Sequence, residues 1–252
     1  MRMRFSRRVA TLALASALAS LTAAPAPAIE PVDLVLVLAA DVSRSVDAQK
    51  FKLQREGYAA AITSRLVLTA IAAGPHKKIA LQFVEWSGAT AQAIIVDWRT
   101  IANRDDAEKF AAELLAAPRP FADRTAIGPA IDYAMTQLAR SPYGAERRVI
   151  DVSGDGTHNS GRDVTAARDA AVAAGVTING LAILSAVPLA INPGHTHPPG
   201  GLLKYYEDNV IGGPNAFAVA AESFEAFGQS VLTKLIKEIA IETGSGDGRR
   251  VE

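Results

Sequence analysis

Residues 32–40 (VDLVLVLAA) form a nearly continuous apolar run, rich in β-branched residues and closed by Asp41. That pattern belongs to a strand buried on both faces, without the alternation of a half-solvated strand. The rest of the chain supplies what such a strand needs. Asp47 is placed to cap a helix whose Phe51, Tyr58, Ala61 and Ile62 share one face. Residues 78–84 and 93–98 read as two strands joined by a turn around Ser87-Gly88, and 105–116 as a helix. Ile127, Ile131, Met135 and Leu138 mark another helix at spacings of four, four and three. Residues 148–153 read as strand, 163–174 as helix and 176–184 as strand. A Pro/Gly/His-rich loop over 186–201 precedes a short helix at 202–208, a strand at 216–221, and a last helix carrying Phe224, Phe227, Val231, Leu235 and Ile239. Strands alternating with helices in this way imply an α/β fold: a doubly wound, mostly parallel sheet with helices on both faces. In such sheets ligands gather at the carboxyl ends of the strands.

The N-terminus carries a different signal. Arg2, Arg4, Arg7 and Arg8 precede an uncharged Ala/Leu-rich run over 9–24, followed by Ala26-Pro27-Ala28. Basic start, apolar middle and small-residue exit are the parts of a signal peptide, with cleavage expected after Ala28. Ser6-Arg7-Arg8 also fits a twin-arginine signal, which leaves the export route open. Cleavage removes four Arg and no acid, leaving 22 Lys+Arg against 26 Asp+Glu. That balance, with no basic stripe, argues against a nucleic-acid binder. The chain has no Cys, which excludes disulfides, thiolate metal sites and a cysteine nucleophile. No later stretch reaches 18 uninterrupted apolar residues, so no membrane anchor is expected. The expected organisation is a signal peptide over 1–28, one domain over 29–242 and a disordered tail over 243–252. The mature protein is expected in the periplasm or secreted.

Three oxygen-rich segments follow elements of this pattern. The first strand ends in Asp41-Val42-Ser43-Arg44-Ser45, which offers a carboxylate and two hydroxyls at alternate positions. Hard oxygen donors of this kind suit Mg²⁺, Mn²⁺ or Ca²⁺. A turn with a helix cap uses the same residue types equally well. Arg124-Thr125-Ala126-Ile127-Gly128 opens a helix, where Thr125 could serve only as its N-cap. Ser153-Gly154-Asp155-Gly156 ends a strand, where Asp155 could be a turn residue. Each is weak alone, yet all three are expected on one edge of the same sheet.

In order, spacing and placement, Asp41-x-Ser43-x-Ser45, Thr125 and Asp155-Gly156 resemble the metal-ion-dependent adhesion site (MIDAS) of von Willebrand factor type A domains. Over residues 31–241 the chain is similar to a bacterial, exported branch of that superfamily, through DLVLVLAADVSRSVD, LQREGYAAAI, RRVIDVSGDG, GVTINGLAIL and VIGGPNAFAVA. The resemblance implies direct metal ligation by the Ser43 and Ser45 hydroxyls, with Thr125 binding directly or through water. It implies that Asp41 and Asp155 act mainly through water and hydrogen bonds to the serines. It further implies a Mg²⁺ (or Mn²⁺/Ca²⁺) site completed by an acidic side chain of a partner protein, and no catalysis.

Two other readings use the same residues. Asp41 after a first strand, with Asp155 later, is faintly similar to haloacid-dehalogenase-type phosphatases, which use one Asp as nucleophile and a second, two residues on, as acid/base. Position 43 is Ser, so that second carboxylate is missing. His195-x-His197, with His158, could begin a zinc site, although no third ligand is evident near the pair. The loop over 186–201 and residues 157–161 are expected to shape the partner surface. Trp86 and Trp98 are expected to pack, with exposed recognition as the alternative. Lys77-Lys78 and Arg147-Arg148 are expected to be edge or solvated charges.

Overall fold

A computed structural model of the chain describes residues 29–240. The expected signal peptide and tail lie outside these residues. In chain order the elements are β1 (Glu30–Pro31), β2 (Val35–Asp41), α1 (Ala48–Ile62), α2 (Arg65–Ala73), β3 (Ile79–Trp86), β4 (Gln92–Ile101), α3 (Arg104–Ala116) and α4 (Ile127–Arg140). They continue with β5 (Tyr143–Gly144), β6 (Arg148–Gly154), α5 (Val164–Ala173), β7 (Thr177–Ile183), α6 (Pro193–Thr196), α7 (Leu202–Asn209), β8 (Ala218–Ala221) and α8 (Phe227–Ala240). Six strands make one sheet in the order β4-β3-β2-β6-β7-β8. All neighbours are parallel except β3 and β4. The architecture is the expected one, a mostly parallel sheet flanked by helices. β1 and β5 add a separate two-residue parallel pair that no sequence pattern announced.

β2 is buried along its whole length, and its alternation explains why. Leu34, Leu36, Leu38 and Ala40 pack with Tyr58, Phe83, Phe110, Phe227 and Val231 under α1, α2, α3 and α8. Val35, Val37 and Ala39 pack with Ile127, Ile131, Val152 and Tyr206 under α4, α5 and α7. A central strand with two apolar faces thus carries the residues of both cores.

Several boundaries differ from the sequence reading. α2 was not anticipated: Ser64 caps it by accepting from the Leu66 amide, and only Val67 and Ile71 are buried. β4 runs longer than 93–98 because it is an edge strand, where exposed residues such as Asp97 and Arg99 interrupt the apolar pattern. Asp47 does cap α1, accepting from the amides of Gln49 and Lys50 at 2.9 Å each. Trp86 is wholly buried, so an exposed recognition role for it is excluded; Trp98 packs half-buried against the second core. Arg147 is not a solvated charge: it donates to the terminal carbonyls of α8 at Glu238 and Ile239.

Charges inside the first core fix α8. Lys234 and Glu238 are fully buried, and they face Asp151 in the middle of β6. Lys234 Nζ lies 2.7 Å from Asp151 Oδ1, although off the line of a hydrogen bond, and it donates to Glu238. Asn179 on β7 donates to Glu238 at 2.9 Å. No helix among the described residues is long and apolar enough to cross a membrane.

The chain leaves β2 toward β3 on one side and later returns to β6 on the other. That reversal opens a crevice beyond the carboxyl ends of β2 and β6, the place where doubly wound sheets bind ligands. Asp41 ends β2 and Gly154 ends β6, so two of the three oxygen-rich segments emerge here.

Candidate metal centre

The five sequence-predicted residues converge in this crevice. Asp41 turns back on its own segment, its Oδ1 accepting from the Ser43 amide at 2.7 Å. That contact bends the chain after β2 so that Ser43 and Ser45 present their hydroxyls side by side, 3.0 Å apart. Ser45 donates to Asp155 Oδ1 at 2.6 Å, across from the end of β6. Thr125 donates to Ser43 Oγ at 3.3 Å.

Thr125 is not a helix cap. The N-cap of α4 is Ala126, which makes no side-chain capping bond. The Thr125 hydroxyl is therefore free to face the serines. Its backbone is clamped by Asn159, whose Oδ1 accepts from the Thr125 amide at 2.9 Å and whose amide donates to the Thr125 carbonyl at 2.9 Å. Asp155 is more than a turn residue as well, since it is buried and bonded to a segment 110 residues away.

Three neighbours, Arg119, Lys50 and Tyr206, escaped the sequence reading, and a fourth, His195, entered it only as part of the histidine pair. Arg119 donates to the carbonyls of Val42 and Ser43, at 2.7 and 3.0 Å, and braces the loop after β2. Lys50 donates to the Ser45 carbonyl at 2.8 Å, and its ammonium lies 3.7 Å from Asp155 Oδ2. His195 reaches in from α6, its Nε2 standing 3.2 Å from Thr125 Oγ1. The Tyr206 hydroxyl and Asp41 Oδ2 both approach Gly154, where a Cβ would fall 2.6 and 3.1 Å from them. The only sequence signal for these was the histidine pair.

That pair does not act as a pair. His195 is buried, whereas His197 is exposed and its Nδ1 lies 3.0 Å from Thr196 Oγ1. His158 takes the Gly128 amide on its Nδ1. Among the described residues no three His, Cys, Asp or Glu side chains gather to hold a metal ion, so the three histidines do not build a zinc site by themselves.

The electrostatics are those of a site short of positive charge. Asp41 is fully buried, and burial followed by the nearby Asp155 carboxylate holds its pKa well above the usual range, against the opposing pull of the Ser43 hydrogen bonds and Arg119. Burial raises Asp155 too, opposed by Ser45, Lys50 and His195. Asp41 Oδ2 has no hydrogen-bond partner. An orphaned carboxylate oxygen at the root of the loop that carries two of the three clustered hydroxyls fits a hard divalent cation, whose charge would offset the desolvation of both carboxylates. A separate cavity of about 840 Å³ lies against Asp33, Gly74, His76, Arg147 and Ile239, and none of the five residues lines it.

A family model described as "Protein of unknown function (DUF1194)" matches residues 31–243. The chain belongs to that family. Its fold is that of von Willebrand factor type A domains, as the solved structures of similar fold show. Proximal thread matrix protein 1 from the mussel byssus aligns with a TM-score of 0.61 at 14% identity, covering 84% of this chain and 49% of that one. The pilus adhesin SpaC from Lactobacillus rhamnosus GG aligns with a TM-score of 0.60 at 12% identity, covering 83% and 31%. A von Willebrand factor type A protein from Catenulispora acidiphila aligns with a TM-score of 0.57 at 14% identity, covering 84% and 44%. A further structure of the mussel protein, with a TM-score of 0.56 at 14% identity, has a zinc-occupied MIDAS motif. The DUF1194 chain thus spans half or less of the length of these proteins. No curated protein matches it.

Proposed function

We propose that this DUF1194 domain is an exported, divalent-cation-dependent protein-binding module. Asp41, Ser43, Ser45, Thr125 and Asp155 would hold the ion. The observation that carries the reading is the continuous set of three hydroxyls and the Asp155 carboxylate from three distant segments, joined at 2.6–3.3 Å in the crevice between β2 and β6, with Asp41 tied to it through the Ser43 amide. Nothing in packing alone requires three hydroxyls and an unpartnered buried carboxylate to meet there.

With Asp41 and Asp155 ionised, Lys50 beside Asp155 and Arg119 near Asp41 balance the two carboxylates. A bound dication would make the site net positive and give it Lewis acidity toward an acidic side chain of a partner protein. Asp41 and Asp155 orient the serine segment by hydrogen bonds, and Arg119 keeps the loop from opening. The names of the fold neighbours, a byssus matrix protein and a pilus adhesin, support a role in protein contact, and the zinc-occupied MIDAS motif of the first supports a divalent ion. Export rests on the N-terminal sequence, residues 1–28.

An affinity capture from envelope extract and culture medium tests this reading. The wild type should retain a partner with Mg²⁺ or Mn²⁺ present and release it on chelation, and Ser43→Ala should retain none. Equal retention with and without chelator would refute cation-dependent binding. Hydrolysis of a chromogenic phosphate ester that depends on Asp41 would make the domain an enzyme instead.

A further inference from the structure

We propose that His195 is a nitrogen ligand of the same cation site and turns its preference from Mg²⁺ and Ca²⁺ toward borderline ions such as Zn²⁺ and Co²⁺. The inference rests on the cation-site reading above and deepens it. Five donor atoms run in sequence: His195 Nε2, Thr125 Oγ1, Ser43 Oγ, Ser45 Oγ and Asp155 Oδ1, with successive separations of 3.2, 3.3, 3.0 and 2.6 Å. Adjacent ligands at about 2.1 Å from a common octahedral centre stand about 3 Å apart. The imidazole nitrogen therefore keeps the spacing to Thr125 that the hydroxyls keep among themselves.

The chain makes room for that nitrogen. At Gly156, next to Asp155, a Cβ would fall 2.1 Å from His195 Nε2 and 2.3 Å from Cε1. Any other residue there would expel the ring. The ring is also held from behind, with Nδ1 3.3 Å from Thr157 Oγ1 and the His195 carbonyl accepting from the Thr157 amide at 2.9 Å. One nitrogen engaged by a hydrogen-bond partner while the other faces the donor set is how metal-binding imidazoles are oriented. The surrounding loop points elsewhere: Ile191 is 93% exposed, whereas His195 is 4% exposed. His195 and Thr196 are the buried residues of α6, and the His195 ring is turned to the Thr125 hydroxyl rather than to solvent.

A nitrogen in the donor set changes which ions bind. Imidazole suits Zn²⁺ and Co²⁺, whereas Mg²⁺ and Ca²⁺ take oxygen donors and gain little from it. Metal-stripped full-length protein, titrated calorimetrically with Mg²⁺, Zn²⁺ and Co²⁺, tests this. Wild type should bind Zn²⁺ and Co²⁺ at least about 100-fold more tightly than Mg²⁺. His195→Ala should lose about 10–100-fold for Zn²⁺ and Co²⁺ and keep its Mg²⁺ affinity within about threefold. His195→Gln, which keeps a polar contact to Thr125 without an imidazole, should behave as the Ala variant does, and the circular dichroism of both should match the wild type. In ¹⁵N-labelled protein, Zn²⁺ should move the Nε2 resonance of one histidine, absent from His195→Ala. Unchanged Zn²⁺ affinity in both His195 variants, with Ser43→Ala binding no ion, would overturn His195 as a ligand and leave the cation site standing. No binding of any ion by wild type would overturn both.

Discussion

Asp41 gives one carboxylate oxygen to the Ser43 amide and leaves the other without a partner, with its side chain wholly out of water. In the metal-free protein ionising this carboxyl is costly, as its raised pKa reflects, and a bound cation would offset that cost. Asp41→Asn keeps an acceptor for the Ser43 amide and removes the charge. It is expected to stabilise the metal-free protein by about 1–3 kcal/mol in urea unfolding and to abolish the response to added cation. A less stable Asn variant would show that the carboxylate is already satisfied. Gly156 is the second residue on which the site turns, because its missing side chain admits the His195 ring. Gly156→Ala should cost about 1–3 kcal/mol through the clash and displace His195, read by urea unfolding and by the His195 ring resonances. At this scale the sequence was informative about identity and silent about exclusivity. Thr125 and Asp155 could each have been caps or turn residues, and only the Ala126 cap and the Ser45 bond show otherwise.

At the scale of elements, α8 shows what a sequence pattern reveals and what it hides. The apolar stripe of Phe227, Val231 and Leu235 was legible from spacing alone. Lys234 and Glu238 share that buried face, and their partner Asp151 sits within an apolar strand run, so no local pattern pairs them. The groups facing Asp151 are Lys234 and Glu238 on α8 and Tyr58 on α1, which donates to Ser153 at 2.9 Å. Burial first and Glu238 second push Asp151 up to about 7, with Lys234 opposing. The folded chain then holds this proton more tightly than the unfolded chain, whose carboxyl titrates near 3.8. Stability from this group is therefore greatest at low pH, falls as pH rises between those values, and is level above the upper one. Asp151→Asn should gain on the wild type by about 1–3 kcal/mol at pH 8, with the gain shrinking as pH falls toward 4. A difference independent of pH, or a loss at pH 8, would contradict this assignment. The unanticipated α2 has a plainer cause. Leu66 is 56% exposed while Val67 and Ile71 are buried, which blurs the single stripe that marks a surface helix.

On the scale of the whole molecule, the order β4-β3-β2-β6-β7-β8 converts three weak motifs into one site. The alternation of strands and helices made that order partly legible, because the ends of buried parallel strands must share an edge. The cover over the site was not legible, since the loop that delivers His195 has no periodicity and its placement depends on contacts with Thr125 and Thr157. Thermal unfolding of the metal-stripped protein, titrated with Mg²⁺, Mn²⁺, Ca²⁺ and Zn²⁺ beside Ser43→Ala, tests the central claim most directly. An ion that binds only the folded chain should raise wild-type stability by about 2.7 kcal/mol at a hundredfold excess over Kd, with no rise in Ser43→Ala. Equal rises in both proteins, or none with any ion, would contradict a cation site built from these residues.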